Sequence, residues 1–342
     1  MAGPEMIADG PDNEIIEALV HAGLIDNQVG AKFVRMTGGV SSDIWKVETP
    51  HRTFCVKRAL AKMKVEADWF APVERNRFEV AWYERINEIV PGAAPKILAH
   101  DERHGLFAME FLNPARHALW KEELRHGRVR LEDARACGER LSRIHSATAG
   151  NEKLAALFPS TEIFHALRLE PYLEATATSH PDLKEVLFGL SKRTANMRLA
   201  MIHGDVSPKN ILIGPDGPVF LDAECATFGD PAFDLAFCLN HFLLKCLWTP
   251  EAHSKFLEAF ETMEVAYLQI VDWEAPASLE ARAASLLPGL FLARIDGKSP
   301  VEYITEEREK EKVRRCARAL LQRTPKKLAE ISQAWREELD DE

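Results

Sequence analysis

The residues best suited to chemistry lie in one segment, residues 201–225, with the sequence MIHGDVSPKNILIGPDGPVFLDAEC. Asp205 and Asn210 are five residues apart on a predicted loop that follows the short apolar segment LAMI. The run ILI predicts a strand, GPDG predicts a turn, and VFL predicts a returning strand that ends at Asp222. The hairpin therefore gathers two carboxylates and a carboxamide at one of its ends.

These side-chain types suit a magnesium-dependent reaction. Mg²⁺ prefers hard oxygen ligands and takes one or two protein carboxylates, with substrate phosphates supplying further ligands. Asn210 and Asp222 fit that role, which leaves Asp205 to orient an attacking hydroxyl and accept its proton. The pattern favours phosphoryl transfer over a polar hairpin without function.

The segments HGDVSPKN and FLDAE resemble motifs of the aminoglycoside phosphotransferase and choline kinase group, small-molecule relatives of the protein kinases. The patterns of that group are H-G-D-x-x-x-x-N and D-x-E. The resemblance implies a two-lobed α+β fold of the protein-kinase type, with Asp205 as the catalytic aspartate. It further implies that Asn210 and Asp222 bind the metal ion and that His203 supports the loop. A third segment, GDPAFDLAF, resembles the same group, and its Asp234 is expected to bond the backbone of the HGD loop.

A lysine and a glutamate upstream fit the same pattern. Lys57, in FCVKRA, lies on the third predicted strand, where a kinase places the lysine that holds the α- and β-phosphates. Glu79 lies on the following predicted helix and is expected to form the ion pair that orients Lys57, with Glu84 as its competitor. Glu224 stays open between the metal site, a cationic substrate and a brace for the loop.

Two further segments are expected to contact ATP, with GTP as a possible substitute. The turn MTGGVSSDIWKV lies where the group carries its phosphate-covering loop, and it offers small residues with backbone and hydroxyl donors: Gly38, Gly39, Ser41 and Ser42. The segment MEFLN is the expected hinge whose backbone meets the nucleotide base, through Met109, Glu110 and Phe111. The expected cofactors are ATP and Mg²⁺.

The elements that position these residues divide the chain into two predicted lobes. Residues 1–112 predict a short helix, three strands, a helix and two further strands, which form a nucleotide-binding N-lobe. The helix VERNRFEVAWYERINEIV carries Phe78, Trp82 and Ile86 on one apolar stripe. Residues 113–342 predict a mostly helical C-lobe with the catalytic hairpin and the acceptor-binding helices, ending in a charged, solvated helix. A ligand is expected in the cleft between the lobes.

The acceptor is expected on the C-lobe side. Two segments, FHALRLEPYLEATATSHPDL and LARIDGKSPVEYI, carry the candidate acceptor-binding residues Arg168, Glu170, Tyr172, Arg294, Asp296 and Glu302, which can instead be packing ion pairs. Ser207 stands where many members of the group have His or Lys, and Lys209 is a candidate replacement or a solvated lysine.

The composition of the chain disfavours several functional classes of protein. The chain has 342 residues and a formal net charge of -10, and this negative charge disfavours nucleic-acid binding. No apolar run is long enough to span a bilayer, which disfavours membrane insertion. The acidic start lacks the pattern of a secretory leader, and six scattered cysteines suit buried thiols in a reducing compartment, so a cytoplasmic location is expected. The sequence leaves the oligomeric state open.

The sequence thus predicts an enzyme that transfers the γ-phosphoryl group of ATP to a hydroxyl of a small molecule. The acceptor is expected to be a polar metabolite, a sugar or an amino alcohol, and aminoglycosides, choline-like amines, sugars such as methylthioribose, and homoserine all stay open. The alternative is a catalytically silent nucleotide-binding regulatory protein of the same fold. A kinase acting on protein hydroxyls is disfavoured because no A-P-E segment follows DAE.

Overall fold

The structure is a computed structural model that describes residues 10–26, 30–36, 41–62 and 72–341. Its first part is built around an antiparallel five-stranded sheet with the spatial order β1-β2-β3-β5-β4. The strands are β1 (Lys32–Arg35), β2 (Ser42–Glu48), β3 (Thr53–Ala59), β4 (Ile97–Asp101) and β5 (Leu106–Glu110). All five correspond to strands predicted from their β-branched and aromatic content.

Two helices belong to this sheet, α1 (Asn13–His21) and α2 (Arg75–Ile89). Helix α1 buries Ile15 and Leu19 in an apolar cluster with residues of β2, β3 and β5. Helix α2 joins the main core through Phe78, Trp82 and Ile86, which are 4%, 0% and 0% exposed. The predicted apolar stripe of α2 is therefore confirmed, and the polar residues beside it include Glu79, which faces Lys57.

The rest of the described chain is mostly helical. Its helices are α3 (Trp120–Arg125), α4 (Leu131–Thr148), α5 (Glu152–Leu157), α6 (Thr161–Phe164), α7 (Ala175–Ser179), α8 (Lys184–Asn196), α9 (Pro231–Trp248), α10 (His253–Leu268), α11 (Pro276–Asp296), α12 (Glu307–Arg323) and α13 (Leu328–Asp340). A π-helix, His165–Glu174, joins α6 to α7, and 3₁₀ turns occupy Pro181–Leu183, Pro208–Asn210 and Pro250–Ala252.

Short strands interrupt these helices and carry the catalytic segment. Strands β6 (Ala118–Leu119), β8 (Ile211–Gly214) and β9 (Gly217–Phe220) form one sheet in the order β6-β8-β9. Strands β7 (Ala200–Ile202) and β10 (Thr227–Gly229) pair antiparallel as a second sheet. The HGD loop therefore leaves β7 and enters β8, as the sequence predicts.

Helix α9 is the centre of the helical part. It is buried from Pro231 to Leu247 and is packed against α10 and α11. A helix that is apolar on nearly all sides belongs in the interior of a protein. The polar residues of α9 are therefore exceptions that call for a structural or functional reason.

The C-terminal helices are not solvated as the charge pattern predicts. Trp335 of α13 is fully buried, packs edge-to-face on Phe291 at 4.9 Å, and donates its indole N–H to the Leu243 carbonyl at 3.0 Å. Val313 and Leu320 of α12 are buried as well. The prediction is wrong because alternating charges cover the outer face only, while apolar residues at helical spacing dock the inner face on the core.

The architecture agrees with the expected fold class: an α+β protein of the protein-kinase type, strand-rich at the start and helical afterwards. All six cysteines are free and buried, as expected. Within the four described ranges, no helix combines the length and the apolar character that crossing a membrane requires.

Candidate active site

Lys57 and Glu79 form a buried ion pair between β3 and α2. The Lys57 ammonium donates to both Glu79 carboxylate oxygens, at 2.7 and 2.8 Å, and to Asp222 Oδ1 at 2.5 Å. Burial lowers the pKa of Lys57, but the carboxylates of Asp222 and Glu79 outweigh this effect and raise it above its ordinary value. Of the two glutamates considered in the sequence, Glu79 is the one placed at Lys57.

One side of α2 carries polar residues at a spacing of four. Tyr83 donates its hydroxyl to Glu79 Oε1 at 2.9 Å and accepts the Asp222 N–H at 2.6 Å. One turn before Glu79, Arg75 donates to Glu224 at 2.9 Å and to the Ser41 carbonyl at 2.6 Å. Residues four apart lie on one face of a helix, so α2 connects the sheet with both acidic residues of the DAE segment.

The HGD loop is fixed by Asp234, near the start of α9. Its carboxylate accepts the backbone N–H groups of His203 at 2.7 Å and Gly204 at 2.8 Å, and it also meets His145 Nε2 at 3.3 Å. Gly204 has a φ of 77°, and a Cβ there would lie 2.7 Å from the Cys225 carbonyl oxygen, so only glycine fits. Asp234 thus occupies the place that the resemblance implies.

His203 is buried within the loop. Its Nδ1 accepts the Asp205 N–H at 3.1 Å, and its Nε2 donates to the Leu221 carbonyl at 2.9 Å. Burial lowers its pKa, which keeps the imidazole neutral and suits one donating and one accepting nitrogen. The Trp82 ring packs edge-on against it at 4.8 Å, so α2 also contacts the loop.

Asp205 is 2% exposed, and its two carboxylate oxygens have different surroundings. Oδ2 accepts Asn210 Nδ2 at 2.8 Å and lies 2.8 Å from Arg168 Nη2 and 3.3 Å from Lys209 Nζ. Oδ1 is buried and has no hydrogen-bond partner among the residues that the structure describes. One oxygen therefore anchors the carboxylate, and the other is left for a ligand.

Asn210 and Asp222 are brought together by the hairpin. The Asn210 carbonyl accepts the Leu221 N–H at 2.8 Å, one residue before Asp222. Asp222 has a φ of 64°, a left-handed conformation that is uncommon outside glycine and is found at functional sites. Burial raises its pKa, but Lys57 and Lys209 outweigh burial and lower it below its ordinary value.

This donor pair fits Mg²⁺. The Asn210 amide nitrogen is used by Asp205, which leaves the amide oxygen for a metal ion. One carboxylate and one carboxamide oxygen form the sparse protein ligand set that Mg²⁺ takes when phosphates complete its shell.

The expected nucleotide-contacting residues are described in part. Gly38 and Gly39 lie outside the described residues. Ser41 and Ser42 are buried at the start of β2, next to the Arg75 guanidinium that bonds the Ser41 carbonyl. Met109 and Glu110 end β5, paired with Cys55 and Phe54 of β3, and Phe111 follows with its ring 4.8 Å from Lys46 Nζ.

The candidate acceptor residues separate into two groups. Arg168, Tyr172 and Arg294 lie on the inside: Arg168 binds Asp205 and the Gly204 carbonyl, and Arg294 donates to the Tyr172 hydroxyl at 3.0 Å. The three acidic candidates are used in ion pairs, Glu170 with Lys298, Asp296 with Arg314 and His180, and Glu302 with Lys121. An acceptor-binding role for the acids stays a prediction, one that these ion pairs do not favour.

The comparison with protein families covers most of this site. The model of a phosphotransferase enzyme family, APH, matches residues 32–279, which include Lys57, Asp205 and Asp222. The chain belongs to this family. Methylthioribose kinase of Yersinia pseudotuberculosis serotype O:3 (strain YPIII) is 23% identical over 262 residues, covering 68% of this chain and 61% of that protein. The chain thus spans about three fifths of the length of this curated relative.

The similarity to solved structures covers about nine tenths of the chain. The amicoumacin kinase hAmiN in complex with AMP-PNP, Ca²⁺ and Ami has a TM-score of 0.54 at 13% identity, covering 90% of this chain and 92% of that one. Choline kinase LicA from Streptococcus pneumoniae has a TM-score of 0.51 at 15% identity, covering 91% and 98%. At such low identity the likeness establishes the fold of this phosphotransferase family member.

Sequence reasoning missed two contributors to this family member's site. Tyr83 bridges Glu79 and Asp222, and Arg75 holds Glu224. Their signal was present, because residues 75, 79 and 83 repeat every four positions beside the apolar stripe of α2. The segment around Arg168 shows no comparable spacing of polar residues in the sequence. It folds as a π-helix that contains Pro171, and a proline has no backbone N–H to donate within a regular helix.

Proposed function

We propose that this protein is an ATP-dependent phosphotransferase that transfers the γ-phosphoryl group to a hydroxyl of a small molecule. Residues 1–112 bind the nucleotide in this proposal, and residues 113–342 carry the catalytic loop and the acceptor site. The observation that supports it most is the Asp205 carboxylate, with Oδ2 held by Asn210 and Arg168 and Oδ1 buried without a partner in the described chain. Such an oxygen is a positioned proton acceptor.

The transfer needs no covalent intermediate on the protein. The acceptor hydroxyl oxygen forms a bond to the γ-phosphorus while the bond from that phosphorus to the bridging oxygen of ADP breaks. The hydroxyl proton passes to Asp205 Oδ1, and ADP leaves with the bonding electron pair. Arg168 stays on Oδ2 throughout and fixes the direction of the carboxylate.

Lys57, Asn210 and Asp222 act on the phosphates. Lys57 is oriented by Glu79 and would hold the α- and β-phosphates, exchanging its bond to Asp222 for them. Asn210 and Asp222 would hold Mg²⁺, which neutralises the charge that develops on the phosphate oxygens. The backbone from Met109 to Phe111 would meet the nucleotide base, and nothing in these side chains discriminates between ATP and GTP.

A screen of candidate acceptors tests this proposal. Purified protein is incubated with ATP and Mg²⁺ and with polyols, amino alcohols, sugars, sugar acids and aminoglycosides, and ADP release is followed by a coupled assay. The phosphorylated product is identified by ³¹P NMR. An acceptor that stimulates ADP release at least tenfold supports the proposal, with Asp205→Asn as the inactive control. Binding of Mg-ATP without turnover on any acceptor would instead indicate a silent nucleotide-binding protein.

A further inference from the structure

One face of α9 leads away from the catalytic loop. At spacings of four, four and three residues it presents Phe237, His241, Lys245 and Trp248. The near end touches the catalytic apparatus, because the guanidinium of Arg168, which binds Asp205, lies 5.8 Å from the Phe237 ring centroid. The Phe237 and His241 rings are 5.7 Å apart. This stripe therefore extends from Asp205 along the C-lobe side.

Lys245, in the middle of the stripe, is a buried lysine without an anionic partner among the described residues. It is 1% exposed. Its ammonium makes no ion pair or hydrogen bond with the described residues, and the carboxylates of Glu302 and Glu122 act on it only from a longer distance. It lies 4.4 Å from the Trp248 ring centroid and 5.0 Å from that of Tyr303, and the two rings stack at 4.2 Å. Buried lysines are almost always paired, and aromatic faces replace only part of the lost hydration.

The residues around Lys245 add further buried polar atoms without partners. His241 Nε2, Arg294 Nε and the Tyr303 hydroxyl are buried and have no hydrogen-bond partner within the described ranges. Arg294 also lies 5.7 Å above the Tyr172 ring, which connects it to the segment that carries Arg168. Native interiors rarely leave several such groups unsatisfied together, so a cluster of them indicates a ligand site.

The charge of this region is positive. Burial lowers the pKa of His241 well below its ordinary value, and the charges of Arg294, Lys245, Lys209 and Lys121 lower it further. Two acids act on Lys245, Glu302 and Glu122. Glu302 is paired with Lys121 and has a side chain that is 65% exposed, and Glu122 lies 3.8 Å from Arg125. Asp296 is turned to Arg314 and His180 on another side of α11. Lys121 and Lys209 are themselves paired with Glu302 and Asp205, so the excess positive charge at the stripe is that of Lys245 and Arg294.

We propose that Lys245, with His241, Arg294 and Tyr303, binds an anionic group of the acceptor, so that the acceptor is a hydroxylated carboxylic acid or a phosphorylated alcohol. We call these four residues the anion pocket. The inference rests on the proposed transfer to a hydroxyl, because Asp205 marks where that hydroxyl lies. Binding of the anion supplies the partner that Lys245 lacks, and it disfavours polycations such as aminoglycosides through charge repulsion.

The first experiment compares acceptors that share one scaffold and differ in charge: D-gluconate, D-glucose 6-phosphate, D-glucose and D-glucosamine. The wild type is expected to use an anionic member with the lowest KM, and the two anionic members distinguish a carboxylate from a phosphate pocket. Lys245→Met should raise the KM for the anionic acceptor by about 10- to 100-fold, as expected for a lost charge-assisted bond, with the ATP KM within about twofold. Lys153→Met, on the exposed surface of α5, is the matched control.

Tyr303→Phe provides a second variant that removes only an unpartnered hydroxyl. It is expected to raise the same KM by about 3- to 10-fold without affecting the ATP KM. Preference for D-glucose or D-glucosamine, or equal changes of KM for charged and neutral acceptors in Lys245→Met, would overturn the anion pocket while leaving the phosphotransferase proposal intact.

If none of these sugars is an acceptor, a binding experiment tests whether the anion pocket binds an anion. The melting temperature of wild type and Lys245→Met is measured in inorganic phosphate, in D-gluconate and in chloride at equal ionic strength. Phosphate bound near Lys57 affects both proteins equally and cancels in the difference. The anion pocket predicts a rise of several degrees that is lost in Lys245→Met, and equal rises in both proteins would refute it. Failure of ATP to bind or react refutes only the proposed function.

Discussion

The buried lysines Lys57 and Lys245 occupy opposite environments. They are 3% and 1% exposed, respectively. Lys57 contacts two carboxylates, those of Glu79 and Asp222, within 2.8 Å. The Lys245 ammonium faces aromatic rings and no described carboxylate. Burial lowers the pKa of Lys245 to about 7, and repulsion from Lys121 adds to this effect, whereas the pKa of Lys57 is raised.

The different surroundings of Lys57 and Lys245 show that the two regions are prepared for a ligand in different ways. The proposed nucleotide side is electrostatically complete before any ligand arrives, because its lysine, glutamate, tyrosine and aspartate satisfy one another. The proposed acceptor side holds buried polar atoms that have no partner in the described chain. A ligand exchanges with existing partners on the first side and completes the site on the second. Replacing a lysine should therefore have opposite consequences on the two sides.

The largest effect is expected where the two sides meet, at Asp205. Asp205→Asn keeps the size of the side chain but removes the proton acceptor, so kcat should fall by about 100-fold or more. The Kd for ATP should stay within about threefold, because Asp205 contacts no residue of the Lys57 cluster. Steady-state kinetics and calorimetry measure both. Asp216→Asn, in the exposed hairpin turn, is the control, and near-normal turnover in Asp205→Asn would exclude Asp205 as the base.

The free energies of unfolding of Lys245→Met and Lys57→Met test the comparison between the two lysines. The unfolded chain holds the Lys245 proton up to a pH of about 10, and the folded chain loses it near 7, so wild-type stability should rise with pH between these values. Lys245→Met removes this cost and should raise the free energy of unfolding by a few kcal/mol at pH 6, on the order of the pKa shift. Its advantage should shrink toward pH 10. The nearby charges of Lys121, Glu302, Glu122 and Arg294 act on the same titration.

Lys57→Met should act with the opposite sign. The raised pKa means that Lys57 stabilises the folded state below its unfolded pKa of about 10 and loses that contribution only as the pH rises through its folded value. Removing it leaves the buried Glu79 and the partly exposed Asp222 without their cation, and the loss of a partner for Glu79 costs about 3–5 kcal/mol at pH 7. Urea unfolding of both variants at pH 6, 8 and 10 measures the two effects. Equal signs for the two variants would show that the environments do not differ as described.

A smaller effect is expected on the metal dependence of nucleotide binding. Asp222→Ala removes the one carboxylate of the proposed Mg²⁺ pair, so ATP should bind about tenfold more weakly in the presence of Mg²⁺. Without the metal ion, the variant should bind ATP at least as tightly as the wild type, because Asp222 competes with the phosphates for Lys57. Calorimetric titrations with and without Mg²⁺ provide the four values. Unchanged metal dependence in the variant contradicts the assignment of Asp222.

The two sides also differ in how far the sequence predicts them. Asp205, Asn210 and Asp222 lie within one hairpin, and hairpin geometry fixes their proximity, so local spacing was sufficient. Lys57 and Glu79 come from separate elements, but their order along the chain matched a known pattern. The anion pocket draws His241 and Lys245 from α9, Arg294 from α11 and Tyr303 from the following loop. Only tertiary packing of helices brings these residues together, and no spacing in the sequence records it.

The smallest effect is expected at Asp296, which the sequence placed among the candidate acceptor ligands. Both its carboxylate oxygens are engaged: Oδ1 accepts Arg314 Nη2 at 2.8 Å, and Oδ2 accepts Arg314 Nε at 2.9 Å and His180 Nε2 at 2.8 Å. Burial raises its pKa, but the bonds from Arg314 and His180 outweigh burial and lower it. The carboxylate therefore stabilises the fold above its unfolded pKa of about 4, and this contribution is lost as the pH falls through the folded value.

Asp296→Asn should accordingly lower the free energy of unfolding by about 1–2 kcal/mol at pH 7 and leave the acceptor KM unchanged. Urea unfolding at pH 7 and pH 3 measures the first quantity, and the difference from wild type should shrink at the lower pH. Steady-state kinetics with the best acceptor of the screen measures the second. A raised acceptor KM together with unchanged stability would return Asp296 to the acceptor site, and the acceptor side would then hold an acid as well as its cations.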